Sequence, residues 1–321
     1  MKEIGGFLEL ELNHGSEFHE QGIALNSGRN CLRYLIRGRK IKRIWLPKLL
    51  CSAISDTCKE ENVQILYYSI DKQLRPVLPQ SLEGDWLYLI NYYGQYSVEE
   101  IRHLDRIYKN IIVDNVQAFY TKPIDGLDTI YTCRKFFGVP DGGYLYTDCT
   151  LSGILQKDES YDRLTFLAGR LERSANDFYS AYRENEQQID ELPLRRMSMV
   201  TQNLLRGIDY ERIKKDRERN FSYLHEHLRP INQLELCLPD GPYMYPLLIR
   251  DGAEIRKKLQ EEKIYIPTLW PNVMDSLKQG EIEYSLAENI LPLPCDQRYG
   301  TIEMDYLVKK ILGEVNYEKR I

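Results

Sequence analysis

From about residue 23 to residue 148, short apolar runs alternate with stretches whose apolar residues recur at helical spacing, at roughly the 30-residue period of βαβ units. No other feature limits the fold as strongly. It predicts an α/β chain whose sheet is mostly parallel, with helices on both faces. Ile44-Trp45-Leu46-Pro47, Asp85 to Tyr93, Ile111-Ile112-Val113 and Asp128 to Tyr131 read as strands. Ligands of open α/β sheets bind beyond the carboxyl ends of the strands, so Ser27, Cys51, Asn91, Asp114 and Lys135 are expected to collect there.

Two of these residues carry chemistry. Ile111-Ile112-Val113 is a β-branched run that ends on Asp114, which is how a buried parallel strand delivers an acid to the sheet edge. The next strand ends just before Arg134-Lys135, and the chain then breaks on Pro140 and Gly142-Gly143. Pyridoxal phosphate (PLP) chemistry needs such a pair. A lysine holds the aldehyde covalently, and an acid keeps the pyridine nitrogen protonated so that the ring can accept electrons. A strand-end aspartate and a surface lysine also occur together in many α/β proteins, so spacing alone leaves both readings open.

Asn26-Ser27-Gly28-Arg29-Asn30 is a glycine turn that feeds Cys31-Leu32-Arg33-Tyr34-Leu35-Ile36, a helix start. Exposed amides and the positive end of the helix dipole suit an anion. An ordinary serine cap is the plainer reading of the same residues.

Asp114-Asn115-Val116-Gln117-Ala118 resembles the Asp-Ala-Ala-Gln/His block of the DegT/StrS family of PLP-dependent aminotransferases, best known for aminating keto sugars on nucleotide carriers. Lys135 with Asp141-Gly142-Gly143 resembles that family's lysine followed by Gly-Glu-Gly-Gly. The Ser27-Gly28 turn resembles Ser-Gly-Thr-x-Ala-Leu, and Asn91-Tyr92-Tyr93-Gly94-Gln95 resembles His-Leu-Tyr-Gly-Gln. Leu194-Arg195-Arg196-Met197-Ser198 resembles Asn-Tyr-Arg-Met-Ser, and Ile290-Leu291-Pro292-Leu293-Pro294 the C-terminal Leu-Pro-Leu-Pro landmark. The resemblance runs in register along nearly the whole chain, except around residues 155 to 190.

The resemblance implies fold type I: a seven-stranded type of sheet in a large domain, residues 1–200, and a smaller α+β domain, residues 201–321. It implies that Lys135 binds the cofactor and serves as acid and base, that Asp114 faces the pyridine nitrogen, and that Gln117 lies against the phenolic oxygen. The amides of Gly28, Arg29 and Asn30 hold the phosphate, with Cys51 and Asn91 beside the cofactor. An amino acid is the donor, and a nucleotide-linked keto sugar is the default acceptor. Fold type I enzymes share active sites across a homodimer, and with Leu194 in place of the family's Asn, Arg195 or Arg196 is left to reach the partner's phosphate.

Several positions depart from the pattern. Cys51 stands where an aromatic residue stacks on the ring, Arg29 replaces a Thr or small residue, and Ile130 replaces a phosphate-binding serine that Thr132 or Thr129 would have to restore. These departures keep two alternatives open, a non-catalytic relative acting as a binding or assembly protein and an aminotransferase for a non-sugar carbonyl. Between residues 155 and 190, Tyr161, Leu164, Leu167 and Leu171 fall on one helical face. An interaction helix is expected there.

The rest of the composition narrows the class. A net charge of −5 and a pI near 5.7 argue against polyanion binding as the default, so neither nucleic acid nor an anionic membrane is an expected partner. The first residues lack a signal peptide's apolar core, and no run approaches a membrane span, which points to the cytoplasm. Seven scattered cysteines fit free thiols, and five histidines without ligand spacing predict no metal.

Overall fold

The computed structural model describes residues 4–318. Its large sheet is built from β1 (Ile23–Leu25), β2 (Arg43–Pro47), β3 (Gln64–Ile70), β4 (Pro76–Val77), β5 (Trp86–Ile90), β6 (Ile111–Asp114), β7 (Asp128–Thr132) and β8 (Gly143–Tyr146), in the order β1-β8-β7-β6-β5-β2-β3-β4. Strands β3, β2, β5, β6 and β7 are mutually parallel, while β8 runs antiparallel to both its neighbours. The sheet thus has eight strands where seven were expected. The eighth is the two-residue β4, an edge strand antiparallel to β3.

The apolar runs become central strands because both faces of the sheet are covered. All four residues of β6 and all five of β7 are buried, the pattern of parallel strands under helices on both sides. The covering helices of this part are α1 (Gly28–Arg39), α2 (Ser52–Glu60) and α3 (Val98–Tyr108). Ser97 and Glu100 form a complete capping box at the start of α3. The chain order reverses between β2 and β5, because β3 lies on one side of β2 and β5, β6 and β7 follow on the other. That reversal opens a crevice beyond the strand ends, the usual ligand position in such sheets.

The segment after β8 holds α4 (Thr165–Glu172) and α5 (Tyr179–Glu191). The expected single helical face does not form, since Tyr161 lies in a separate 3₁₀ turn, α4 starts only after Leu164, and Tyr161 and Leu171 are 72% and 88% exposed. α5 buries only Asn185 and Ile189. It is attached by polar contacts instead, described below.

After α6 (Met199–Arg206) come α7 (Tyr210–Leu228), α8 (Gly252–Glu261), α9 (Pro271–Ser276), α10 (Ile282–Asn289) and α11 (Thr301–Glu318), and among them an antiparallel pair, β9 (Met244–Leu248) and β10 (Ile290–Pro294). A boundary after residue 200 would cut α6. Leu205, Tyr210 and Ile213 still pack with the sheet, and a second apolar cluster begins within α7 at Phe221, Leu224 and Leu228 and continues through Tyr245, Leu291 and Ile311. Residues 264 to 270 form no strand. Trp270 packs edge-on against Tyr92 and Tyr93 in the turn after β5. Among the described residues no helix is long and apolar enough to cross a membrane, and no group of His, Cys, Asp or Glu is gathered as a metal site. All seven cysteines are free.

His19 sits inside an aromatic cluster, its ring 4.0 Å from that of Tyr131. Nε2 lies 2.7 Å from the Phe119 carbonyl and Nδ1 3.2 Å from the Tyr146 hydroxyl, so a neutral ring satisfies both nitrogens. Burial pushes its pKa down from 6.5 to about 4, against the smaller effect of the Phe119 carbonyl. The folded pKa is the lower one, so this contribution is complete above pH 6.5 and is lost as pH falls toward 4. We expect wild type to lose about 2 kcal/mol more stability between pH 7 and pH 5 than His19→Phe. Urea titrations of both proteins at the two pH values check this.

Candidate active site

Asp114 is the last residue of β6 and is 3% exposed. Its two carboxylate oxygens have separate donors. The Val116 amide reaches Oδ1 at 2.9 Å, and the Tyr88 hydroxyl on neighbouring β5 reaches Oδ2 at 2.8 Å. Burial raises the Asp114 pKa, opposed first by the charge on Lys135 and then by these two hydrogen bonds.

Lys135 follows β7 in a tight turn closed by Phe136 and Phe137 amides on the Cys133 carbonyl. Its surface reaches solvent while protein crowds the remaining sides. Nζ stands 5.7 Å from the centroid of the Tyr243 ring and makes no hydrogen bond among the described residues. Desolvation lowers its pKa below the ordinary 10.5; Asp114 and Cys51 act against the shift, and Arg134 adds to it. The same pair of groups perturbs Cys51, the residue preceding α2, whose thiol is pushed up by burial first, with Lys135 opposing. Asp114 at the end of β6, Lys135 after β7 and Cys51 before α2 thus come from three elements to the sheet edge.

The helix start is a tight construction. The Ser27 hydroxyl accepts the Asn30 amide at 3.1 Å, and the Asn30 side chain turns inward to Asn26 and to the carbonyls of Leu192 and Pro193. Asn30 is therefore a poor anion donor, contrary to expectation. As the first two helical residues, Gly28 and Arg29 keep amides without an intrahelical acceptor. Gly143 is what lets this turn approach β8, because a side-chain carbon there would lie 2.8 Å from the Ser27 carbonyl carbon and 2.9 Å from the Gly28 nitrogen. Thr132 stands under the turn, 3.8 Å from where a Gly28 side chain would begin, but its hydroxyl already donates to the Gly142 carbonyl at 3.3 Å.

Other expected residues divide. The Gln117 carbonyl oxygen accepts the Tyr93 amide at 2.8 Å, which leaves its Nε2 as the free end. Asn91 is spent on the scaffold: its amide donates to Asn115 at 3.0 Å and its oxygen accepts the Tyr96 amide at 3.0 Å. Arg195 donates to Asp158 at 3.3 Å within its own chain. Arg196, on the same extended segment, lines a separate polar pocket with Glu17, Glu20 and Arg206. Asp141, from the block that resembles Gly-Glu-Gly-Gly, is fully buried as the acceptor for the Ser198 amide and the hydroxyls of Ser198 and Thr201. It anchors the start of α6.

The structure adds residues that sequence reading missed. Tyr88 could have been suspected, because a phenol inside a fully buried strand needs an acceptor. Arg29 pairs with Asp190 at 2.6 Å and Arg134 with Glu186, so two arginines flanking the site are held by acids of α5. Arg217, buried and without a carboxylate partner among the described residues, donates to the Phe136 carbonyl at 3.1 Å and to the Pro242 carbonyl at 2.9 Å, and Gln297 donates to the same Phe136 carbonyl at 2.9 Å. No sequence signal marks these pairings.

No protein-family model and no curated protein sequence matches the chain. Solved structures do match in shape. One is a DegT/DnrJ/EryC1/StrS aminotransferase from Brucella abortus, with 17% identity, 91% of this chain and 85% of that one covered, and a TM-score of 0.62. The chain has the fold of the DegT/StrS aminotransferases. The sugar aminotransferase CalS13 from Micromonospora echinospora overlays at 13% identity over 91% of this chain and 87% of its own, TM-score 0.62. The E. coli GDP-4-keto-6-deoxy-D-mannose-3-dehydratase with bound hydrated PLP matches at 14% identity over 90% and 87%, TM-score 0.60. At these identities the DegT/StrS likeness is one of fold, and the chemistry rests on the residues described above.

The lowered pKa of Lys135 sets an expectation that needs no cofactor. Its reaction with a small amine-directed reagent, followed site by site with mass spectrometry, should reach half its limiting rate below pH 10.5, the ordinary lysine value. A midpoint at or above that of the exposed lysines would contradict the environment described here.

Proposed function

We propose that this chain is a PLP-dependent aminotransferase that moves an amino group from an amino acid to a keto group of a small molecule, the acceptor being a keto sugar on a nucleotide carrier. The observation that carries this reading is the placement of buried Asp114 at the end of β6 and of solvent-reaching Lys135 in the turn after the neighbouring parallel strand β7, at the carboxyl edge of the sheet beside the open amides of α1. The fold shared with sugar aminotransferases supports it.

The residues present fit PLP. Lys135 would hold it covalently, Asp114 would face the ring nitrogen, Gln117 Nε2 the phenolic oxygen, and the Gly28 and Arg29 amides the phosphate, with Cys51 beside the ring. Bound PLP supplies an electron sink for a carbanion at the donor's α-carbon. The protein supplies the proton handling. Desolvation leaves Lys135 Nζ neutral at lower pH than a free lysine, so it can take and return a proton at that carbon. Asp114 must remain an acceptor at the ring nitrogen, and its two donors favour that state.

Lys135→Ala should fold normally and lose the borohydride-reducible link to PLP; a reducible link that survives would overturn the assignment. Asp114→Ala should keep the link and lose turnover by orders of magnitude, checked by steady-state kinetics with amino-acid donors.

Assembly follows from the same reading. A homodimer with shared sites leaves Arg195 or Arg196 to reach the partner's phosphate, and the Arg195 bond to Asp158 leaves most of its guanidinium uncommitted. Light scattering of the PLP-bound protein at micromolar concentration should give a dimer mass. Of Arg195→Ala and Arg196→Ala, one should loosen PLP about tenfold, the worth of one charged hydrogen bond.

A further inference from the structure

We propose that Tyr88 is a positioning residue for Asp114, holding Oδ2 by its hydroxyl so that the carboxylate keeps a fixed plane and a free lone pair toward the ring nitrogen of a bound pyridine cofactor. This deepens the PLP reading above and rests on it. The register brings the two side chains together. β5 and β6 are parallel with Tyr88 opposite Ile112 and Ile90 opposite Asp114, so Tyr88 and Asp114 share one face of the sheet as diagonal neighbours. A phenol spans that diagonal, and the oxygens meet at 2.8 Å.

Several observations separate this hydroxyl from a merely satisfied core tyrosine. Tyr88 is 0% exposed, and its hydroxyl has Asp114 as its acceptor and no other partner among the described residues. Its main chain is itself held, since the Tyr68 hydroxyl donates to the Tyr88 carbonyl at 2.8 Å. The Val116 amide holds the other oxygen, so the carboxylate is gripped from two elements and cannot rotate without breaking a bond. Apart from Tyr88, the titratable groups that feel Asp114 are Lys135, Cys51, Cys31, Tyr68 and Tyr92. Lys135 is the one cation among them. When its amine is committed to the cofactor, the hydrogen bonds from Tyr88 and Val116 remain to favour the charged form of Asp114 against burial.

The test removes one atom. In the cofactor-free protein, Tyr88→Phe should raise the pH midpoint of the Asp114 carboxyl, read by ¹³C NMR of labelled aspartate, because a donor to the charged form is gone. In the PLP-loaded protein it should weaken PLP about tenfold, move the ¹⁵N resonance of labelled ring nitrogen toward the unprotonated value at neutral pH, and lower kcat more than it raises KM. Tyr88→3-fluorotyrosine, a stronger donor in the same shape, should shift the carboxyl midpoint the opposite way. In an Asp114→Asn background, Tyr88→Phe should have no further effect on PLP affinity.

An unchanged Asp114 midpoint in Tyr88→Phe would overturn the proposal, as would an equal loss of PLP affinity in the Asp114→Asn background, which would mark a packing role. Failure of wild type to bind PLP would sink the cofactor reading alone, since the carboxyl titration still reports on Tyr88 and Asp114. Thermal melts of each variant show whether it is folded, and the fluorotyrosine variant preserves the packing if Tyr88→Phe does not fold.

Discussion

A carboxylate buried in protein is costly unless hydrogen bonds and an opposite charge replace its lost water, and Asp114 is placed where all of these replacements come from different parts of the chain. Tyr88 arrives from the neighbouring strand, Val116 from the turn after β6, and the charge of Lys135 from the turn after β7. The order of the central strands and the register between β5 and β6 are thus coupled to the site. A one-residue slip would put Tyr88 on the other sheet face and leave the acid without its donor.

The same logic repeats around the site with other polar groups. Asp158 gathers Arg163, Arg195 and Asn26, and Asp141 gathers Ser198 and Thr201. These acids tie residues 158 to 201 to the start of α1 and to the glycine turn before β8. α5, with almost no apolar anchor, is fastened by Arg29, Arg134 and the Asn185 bond to the Pro140 carbonyl. Segments that bury little apolar surface are held here by directional bonds, which specify position more sharply than hydrophobic contact does. The Phe136 carbonyl, gripped by Arg217 and Gln297, links the lysine turn to the C-terminal part of the chain in the same way.

Sequence pattern alone accounted for a good part of this. The apolar run Ile111-Ile112-Val113 lies in a central strand because parallel strands covered on both faces need no polar alternation. Residues 264 to 270 carry branched residues yet form no strand, because such residues favour one only where a sheet edge is available to pair with. The chain there turns Trp270 into the aromatic contacts of Tyr92 and Tyr93 instead. Asn91 and Asn30 lay where a ligand was expected, but their amides were claimed by neighbouring turns.

The sequence by itself determined the parallel α/β sheet, the acid and the lysine at its carboxyl edge, and the glycine turn at a helix start, because each depends on local periodicity and on the residue that ends a strand or opens a helix. Only the tertiary structure decided which donors hold Asp114, that Arg29 and Arg134 answer to acids of α5, and that Arg217 grips the lysine turn. Hydrogen-bond partners are chosen by which elements lie side by side, and strand order places residues far apart in sequence, such as Tyr88 and Asp114, within one bond of each other.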